Sequence, residues 1–198
     1  MKKIGILGGT FDPPHNAHLE IARAALIQYG LDCVRFMTGG MPPHKRHKKV
    51  TPAVIRFEMT KLLVDGEEKF IADDYEILKK DYSYTVNTLK ELKNLHPDWE
   101  IYFIIGEDSL KDFPKWYMPQ KIAKNCILLV YPRRGNSDID FLIKERRTEY
   151  GADIRIIDAP MRDISSTMIR NRIKNGEDTN GFLPNTVMEF IKENGLYT

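Results

Sequence analysis

The stretch "KIGILGGTFDPPHNAHLEIARAALIQYG", residues 3–30, decides the fold. Its first five residues, apolar after Lys3, predict a buried strand, and the pattern after the glycine- and proline-rich turn predicts an amphipathic helix. Asn16 is the predicted N-cap of that helix, and Gly30 is the predicted end. A buried strand followed directly by a helix is the first half of a βαβ unit.

The remainder of the chain repeats this alternation. Short apolar runs predict strands at 33–37, 69–72, 75–78, 100–106, 126–132 and 153–159. Amphipathic stretches predict helices at 52–66, 83–97, 119–125, 138–151, 166–176 and 184–195. We therefore predict one α/β domain over residues 1–198, a Rossmann-like doubly wound parallel sheet with helices on both faces. Ligands bind such sheets beyond the carboxyl ends of the strands, where the strand order reverses.

Composition limits the classes of partner. The 198 residues carry a formal net charge of +2, which is too small to predict a nucleic-acid or membrane partner. No apolar run approaches the roughly 20 residues that span a bilayer. Cys33 and Cys126 lie in apolar runs without metal-ligand spacing, so we expect free thiols in a reducing compartment. We predict a cytoplasmic protein.

The Gly8-Gly9-Thr10 turn predicts a phosphate site. Adjacent glycines let the backbone turn sharply and let an anion approach bare amide groups. The following helix start adds unpaired N–H groups and the positive end of its dipole. The spacing matches neither the dinucleotide-binding GxGxxG fingerprint nor a P-loop. A purely structural tight turn is the competing interpretation.

His15 and His18 lie at the start of the same helix. If Asn16 caps the helix, both side chains can face the predicted anion site. Imidazole can donate hydrogen bonds to phosphate oxygens, and it can carry positive charge beside a triphosphate. The alternative is one surface and one partly buried histidine without a role in binding.

Five segments resemble the nucleotidyltransferase superfamily. The segment "GGTFDPPHNAHL" (8–19) is similar to its signature GxFDPxHxGH, with Ala17 where the family usually has Gly. The segment "ISSTMIR" (164–170) resembles ISSTxIR, the second signature of the bacterial nicotinate-nucleotide adenylyltransferases. Three further segments agree with that family: "PPHK" (42–45), "SYTVNTL" (83–89) and "IGEDSLKDFPKW" (105–116).

This resemblance implies an activity. Such an enzyme transfers AMP from ATP to nicotinate mononucleotide and yields deamido-NAD and pyrophosphate, a step of NAD biosynthesis. The attacking phosphate oxygen is already ionised at neutral pH, so no general base is required. The protein would hold two anions in line and offset the developing charge. The implied cofactor is Mg²⁺ carried mainly by the ATP phosphates, and no protein-held metal site is expected.

The resemblance also implies site residues. His18 and His15 would be catalytic and would bind ATP, with His18 the first choice for catalysis. The other implied ATP-binding residues are Gly8, Gly9, Thr10, Gly106, Asp108, Ile164, Ser165, Ser166 and Arg170. Lys45, Thr85 and Trp116 would bind nicotinate mononucleotide, Trp116 by stacking on the pyridine ring. Without the resemblance, Trp116 could be a loop anchor and the basic segment 44–49 a solvated loop.

Alternative functions stay open at this stage. A nicotinamide-mononucleotide or pantetheine-phosphate adenylyltransferase would use the same superfamily signature. A class I aminoacyl-tRNA synthetase would need an anticodon-binding region that 198 residues do not hold. A non-catalytic nucleotide- or RNA-binding protein using residues 44–49 would show binding that weakens steeply with salt. A homo-oligomer is compatible with the sequence.

Overall fold

A computed structural model describes residues 1–40, 50–79, 84–132, 138–159 and 163–198. Within these ranges six strands form one sheet: β1 (Lys2–Gly9), β2 (Cys33–Thr38), β3 (Phe70–Asp73), β4 (Trp99–Gly106), β5 (Ile127–Tyr131) and β6 (Ile154–Ile156). Their order is β3-β2-β1-β4-β5-β6, and every neighbouring pair is parallel. This order confirms the predicted Rossmann-like sheet.

Helices pack on both faces of this sheet. They are α1 (Asn16–Tyr29), α2 (Ala53–Val64), α3 (Thr85–Leu95), α4 (Glu107–Asp112), α5 (Pro119–Ala123), α6 (Ile139–Tyr150), α7 (Ser166–Lys174) and α8 (Asn185–Glu193). One hydrophobic cluster joins the sheet to α3, α4, α5 and α6, and a second joins it to α1, α2, α7 and α8. Strand β1 contributes residues to both clusters, Ile6 to the first and Leu7 to the second, because successive strand side chains point to opposite faces.

One predicted strand is absent, and one helix was missed. Residues 75–78, predicted as a strand, form a turn in which the Tyr75 N–H donates to Asp73 Oδ1 at 2.9 Å. A carboxylate that accepts a backbone N–H two residues later favours a turn over a strand. Helix α4 was not predicted, because its six residues are too few to show a helical hydrophobic pattern.

The start of α1 also differs from the prediction. The N-cap is His15, which has extended backbone angles, whereas Asn16 is already the first helical residue. Asn16 instead anchors the helix start to a distant loop: its N–H donates to Phe182 O at 2.9 Å, and its Nδ2 donates to Gly181 O at 3.0 Å. The predicted end is confirmed, since Gly30 takes the left-handed conformation with φ of 60° that glycine accommodates without strain.

The cysteines are free, as predicted. Cys126 is buried, and burial raises the pKa of its thiol to about 12. Cys33 is only half-buried. Among the described residues, no helix is long and apolar enough to cross a membrane.

Candidate active site

A cavity of about 1540 Å³ opens at the carboxyl ends of β1 and β4. These strands are neighbours at the point where the strand order reverses, the position at which such sheets bind ligands. Its wall includes Gly8 and Gly9 at the end of β1, Gly106 at the end of β4, and the starts of α1, α3 and α7. Single small-molecule pockets usually enclose about 300–1,000 Å³, so this cavity has room for two nucleotides.

Gly8 and Gly9 meet different constraints. A Cβ on Gly9 would lie 2.7 Å from the Phe11 ring, so the fold itself excludes a side chain there. A Cβ on Gly8 would lie 3.5 Å from the Phe103 ring, an ordinary contact. Packing within the protein therefore does not explain Gly8, whereas the close approach of a ligand to the backbone would.

Phe11 is the residue that forces glycine at position 9. It is buried and has φ of 51°, a conformation in which a bulky side chain is strained. Its ring lies edge-on to the His18 ring, with 5.0 Å between the centroids. The turn thus places one strained aromatic residue directly beside a predicted catalytic residue.

His15 and His18 form a stacked pair in the cavity wall. Their ring centroids are 3.7 Å apart and their planes differ by 25°. The backbone N–H of His15 donates to His18 Nδ1 at 3.1 Å, the return half of a capping box. Because Nδ1 accepts this bond, a neutral His18 carries its proton on Nε2. His18 can therefore donate one hydrogen bond, from Nε2, to a ligand.

Burial keeps both rings neutral in the ligand-free protein. Loss of solvation lowers the pKa of His15 from 6.5 to about 4. Burial, together with the neighbouring His15, lowers the pKa of His18 well below 6.5. At pH 7 the pair therefore offers N–H donors rather than positive charge, and nearby phosphate charge would favour protonation.

The start of α7 is fastened to the same turn. Ser165 is the N-cap of α7, and its Oγ accepts from the Met168 N–H at 3.2 Å. Ser166 Oγ donates to Pro13 O at 2.8 Å. Both serine hydroxyls therefore have structural partners, and the backbone N–H groups at the start of α7 are the donors suited to an anion.

Most of the predicted site residues meet in this cavity. Its wall includes Gly8, Gly9, Thr10, His15, His18, Thr85, Gly106, Asp108, Trp116, Ile164, Ser165 and Ser166. Arg170 is not among the wall residues described. Its Nη1 donates to Asp12 O at 2.6 Å, so its guanidinium binds the backbone of the turn. Lys45 lies outside the described residues.

An aromatic group forms another part of the wall. Trp116 is half-buried, and its ring lies edge-on to Phe103 with 6.2 Å between the centroids. Tyr84 and Tyr117 were not predicted as site residues. Their ring centroids are 4.9 Å apart, both side chains are exposed, and both line the cavity. The signal was their position, since each is adjacent in sequence to a predicted residue, Thr85 or Trp116.

Arg56 was also missed, although it organises the turn. Its side chain is 1% exposed. The guanidinium donates to Thr10 O at 2.5 Å, to Thr51 O at 2.8 Å and to Gly40 O at 2.9 Å. Burial lowers the pKa of this guanidinium. The available signal was a charged residue on the apolar face of α2, three positions before the buried Met59.

Comparison with known proteins gives consistent results. A model of the cytidylyltransferase-like family matches residues 6–172. A protein of Clostridium botulinum (strain Loch Maree / Type A3) named "Probable nicotinate-nucleotide adenylyltransferase" is 44% identical over 195 residues, which are 97% of each chain. A protein of Clostridium kluyveri with the same name is 42% identical over 202 aligned positions that cover both chains fully.

Solved structures show the same fold. The nicotinic acid mononucleotide adenylyltransferase of Plasmodium falciparum complexed with NaAD superposes with a TM-score of 0.82 at 21% identity. The same enzyme complexed with APC superposes with a TM-score of 0.81 at 20% identity. Both alignments cover 100% of this chain and 98% of the other.

Proposed function

Because the chain belongs to the cytidylyltransferase-like family and, within it, to the nicotinate-nucleotide adenylyltransferases, we propose that its cavity performs their reaction with the residues described above. AMP passes from ATP to nicotinate mononucleotide, giving deamido-NAD and pyrophosphate in NAD biosynthesis. An oxygen of the mononucleotide phosphate bonds to the α-phosphorus of ATP. The bond from that phosphorus to the oxygen of the leaving pyrophosphate breaks.

One observation carries the residue-level proposal. The stacked histidines and the start of α7 are joined to a single turn, through the bond from His15 N–H to His18 Nδ1 and the bond from Ser166 Oγ to Pro13 O. The starts of α1 and α7 therefore lie together in the wall of one cavity, where their N–H groups are available as donors. This arrangement suits a polyphosphate, whose negative charge the helix dipoles and amide groups stabilise.

His18 acts as a fixed hydrogen-bond donor. Its Nε2–H donates to a phosphate oxygen as charge develops in the transition state. The phosphate nucleophile is already ionised, so His18 has no proton to remove. One preorganised donor of this kind typically contributes about 10²–10³ in rate, and His15 supports it by fixing the ring and its tautomer.

The other ATP contacts follow from the wall. Gly8, Gly9 and Thr10 offer backbone atoms to the nucleotide, and a Cβ on Gly8 would make only an ordinary contact within the protein, so close approach of a ligand can account for the glycine. Ile164, Ser165 and Ser166 present the start of α7 to the β- and γ-phosphates. Gly106 ends β4 and Asp108 follows it in α4, where the exposed carboxylate of Asp108 can accept hydrogen bonds from the adenosine ribose.

The mononucleotide occupies the aromatic part of the cavity. Trp116 stacks on the pyridine ring, and Thr85 is the first residue of α3. The positive end of that helix favours a carboxylate over a neutral amide. We therefore propose nicotinate rather than nicotinamide mononucleotide as the preferred acceptor. The proposed phosphate contact of Lys45 lies outside the described residues.

Mg²⁺ is proposed to reach the site on ATP. Among the described residues, no group of three or more His, Cys, Asp and Glu side chains could hold a metal ion. Mg²⁺ is commonly held mainly by phosphate oxygens and water, with few protein ligands. When bound, Mg²⁺ offsets negative charge on the pyrophosphate that leaves.

A pyrophosphate-release assay tests this function. The pure protein is incubated with ATP, Mg²⁺ and either nicotinate or nicotinamide mononucleotide, and the dinucleotide product is identified by mass spectrometry. We expect turnover with nicotinate mononucleotide, and slower or no turnover with nicotinamide mononucleotide. Phosphopantetheine serves as a third acceptor for the alternative within the superfamily. Absence of turnover with the two mononucleotides would remove the proposal.

We also propose that the enzyme works in the cytoplasm. Cys33 and Cys126 are both free. Free thiols persist in reducing compartments, where disulfides are rare.

A further inference from the structure

A buried polar network lies behind the turn that carries the histidines, and Asp12 is its centre. Asp12 is 6% exposed. Its Oδ1 accepts from Tyr197 Oη at 2.7 Å, and its Oδ2 accepts from the Thr51 N–H at 3.4 Å. Its backbone oxygen accepts from Arg170 Nη1 at 2.6 Å. Three distant segments therefore hold one residue of the turn.

Tyr197 is delivered to Asp12 by the turn that ends α8. The Leu196 N–H donates to Ile191 O at 3.0 Å, and the Gly195 N–H donates to Lys192 O at 3.1 Å. These two bonds form a Schellman motif, with Gly195 in the left-handed conformation at φ of 56°. The motif folds the following residues back onto the core, where Leu196 and Tyr197 pack against the second hydrophobic cluster.

The bond between Tyr197 and Asp12 involves one strained residue and the neighbour of another. Tyr197 has φ of 65° and Phe11, which precedes Asp12, has φ of 51°. Such conformations are strained for non-glycine residues and persist only where the surroundings enforce them. The bond from Tyr197 to Asp12 is one of the enforcing contacts, because it fixes the residue directly after Phe11.

The network also reaches the phosphate turn. The Thr51 N–H binds Asp12, and Thr51 O accepts from Arg56 Nε at 2.8 Å. Arg56 Nη1 in turn donates to Thr10 O at 2.5 Å. On the other side of Asp12, the Phe11 ring contacts His18. Displacement of Asp12 would therefore disturb the backbone at Thr10 and the packing of His18 together.

From these contacts we infer that Tyr197 is a positioning residue for ATP binding, which acts through Asp12 on the turn that carries Thr10, Phe11 and the two histidines. Tyr197 is not among the described residues that line the cavity, so no direct contact with substrate is proposed for it. No sequence signature pointed to it. The effect expected on kcat rests on the proposed function, whereas the effect expected on the Kd for ATP requires only that the protein binds ATP.

Tyr197→Phe is the direct test, because it removes only the hydroxyl. We expect the Kd for ATP, measured by calorimetry, to rise about fivefold, the size of one net hydrogen bond. We expect kcat to fall by a similar factor. The KM for nicotinate mononucleotide should change less than about twofold, because the aromatic part of the cavity has no bond to this network among those described. A general loss of structure would instead weaken the binding of both substrates.

Tyr29→Phe is the matched control. Tyr29 Oη donates to Ile156 O at 2.6 Å, and neither residue is among the described residues that line the cavity. This variant should lose comparable stability and keep the ATP Kd and kcat of the wild type. If Tyr197→Phe also keeps both values within about twofold, the inference is wrong.

A second pair of variants, at two glycines, keeps the inference testable if Tyr197→Phe fails to fold. Gly195 and Gly151 both follow a helix in the left-handed conformation, with φ of 56° and 62°, and a Cβ on either would meet nothing within 4 Å. Gly195→Ala and Gly151→Ala therefore carry the same local strain. Only Gly195→Ala, which disturbs the turn before Tyr197, should weaken ATP binding. Equal ATP affinity in the two variants would contradict the inference.

Binding and turnover separate the two proposals. Wild-type protein that binds ATP but releases no pyrophosphate would overturn the proposed function alone, and the ATP Kd of the variants would still judge Tyr197. Wild-type protein that binds no ATP would overturn both. Turnover with an unchanged ATP Kd and kcat in Tyr197→Phe would overturn the positioning role alone.

Discussion

The backbone N–H of His15 donates to His18 Nδ1 at 3.1 Å while the two imidazole rings stack with their centroids 3.7 Å apart. This relationship fixes the orientation of the His18 ring and its tautomer before any ligand binds. A donor that needs no reorganisation is worth more in a transition state than one that must be ordered first. In the proposed function the pair acts as one unit, in which His15 orients the ring and His18 donates.

His18→Ala should lower kcat by about 10²-fold or more, because it removes one preorganised donor. The fold should persist, which circular dichroism and thermal unfolding can check. His96→Ala is the matched control: His96 stacks on Trp99 with 3.9 Å between the centroids and lies away from the cavity wall. It should leave kcat unchanged. A loss below about threefold in His18→Ala would show that His18 is not catalytic.

The free energy of unfolding should depend on pH through His15. Its pKa is about 4 in the folded protein against 6.5 in the unfolded chain, so the unfolded state binds more protons between these values. Stability is therefore full above pH 6.5 and falls as the pH drops toward 4. The wild type should lose about 2 kcal/mol more than His15→Gln between pH 7 and pH 5, measured by urea unfolding. Equal losses in the two proteins would contradict the burial of this imidazole.

Gly9→Ala and Gly8→Ala should separate folding from binding. The added methyl of Gly9→Ala meets the Phe11 ring at 2.7 Å, so the free energy of unfolding should fall by about 1–3 kcal/mol. Gly8→Ala meets only an ordinary contact and should keep its stability. Because ATP is proposed to approach the Gly8 backbone, the added methyl should raise the KM for ATP about tenfold. An unchanged KM for ATP in Gly8→Ala would show that ATP does not approach Gly8.

Arg56→Lys should lower the free energy of unfolding by about 2–4 kcal/mol, because a lysine cannot bind the three carbonyl oxygens that the planar guanidinium reaches. Urea unfolding measures this loss. Arg155→Lys is the control, since Arg155 makes an exposed ion pair with Asp153 at 2.7 Å. Exposed pairs contribute about 0–1 kcal/mol. Equal stability changes in the two variants would mean that the carbonyl contacts of Arg56 add little.

The local predictions succeeded where the signal is local. The alternation of strands and helices followed from apolar runs and amphipathic patterns, and Gly30 was identified as a helix end from its residue type alone. The turn at residues 75–78 was mistaken for a strand, because an apolar pattern does not reveal the carboxylate of Asp73 competing for the Tyr75 N–H. Asn16 was mistaken for the N-cap, because His15 can occupy the same position and Asn16 has partners in a distant loop.

The sequence by itself determined the parallel sheet, the glycine-rich turn at residues 8–10 and the presence of two histidines at a helix start. These properties depend on residue type and short spacing, which the chain carries without folding. Only the tertiary structure decided what Arg170 and Tyr197 do. They bind Asp12 across 158 and 185 residues of sequence, and such contacts exist only once α7 and the turn after α8 have packed against the sheet. A polar side chain has several possible partners in an unfolded chain, and packing selects among them.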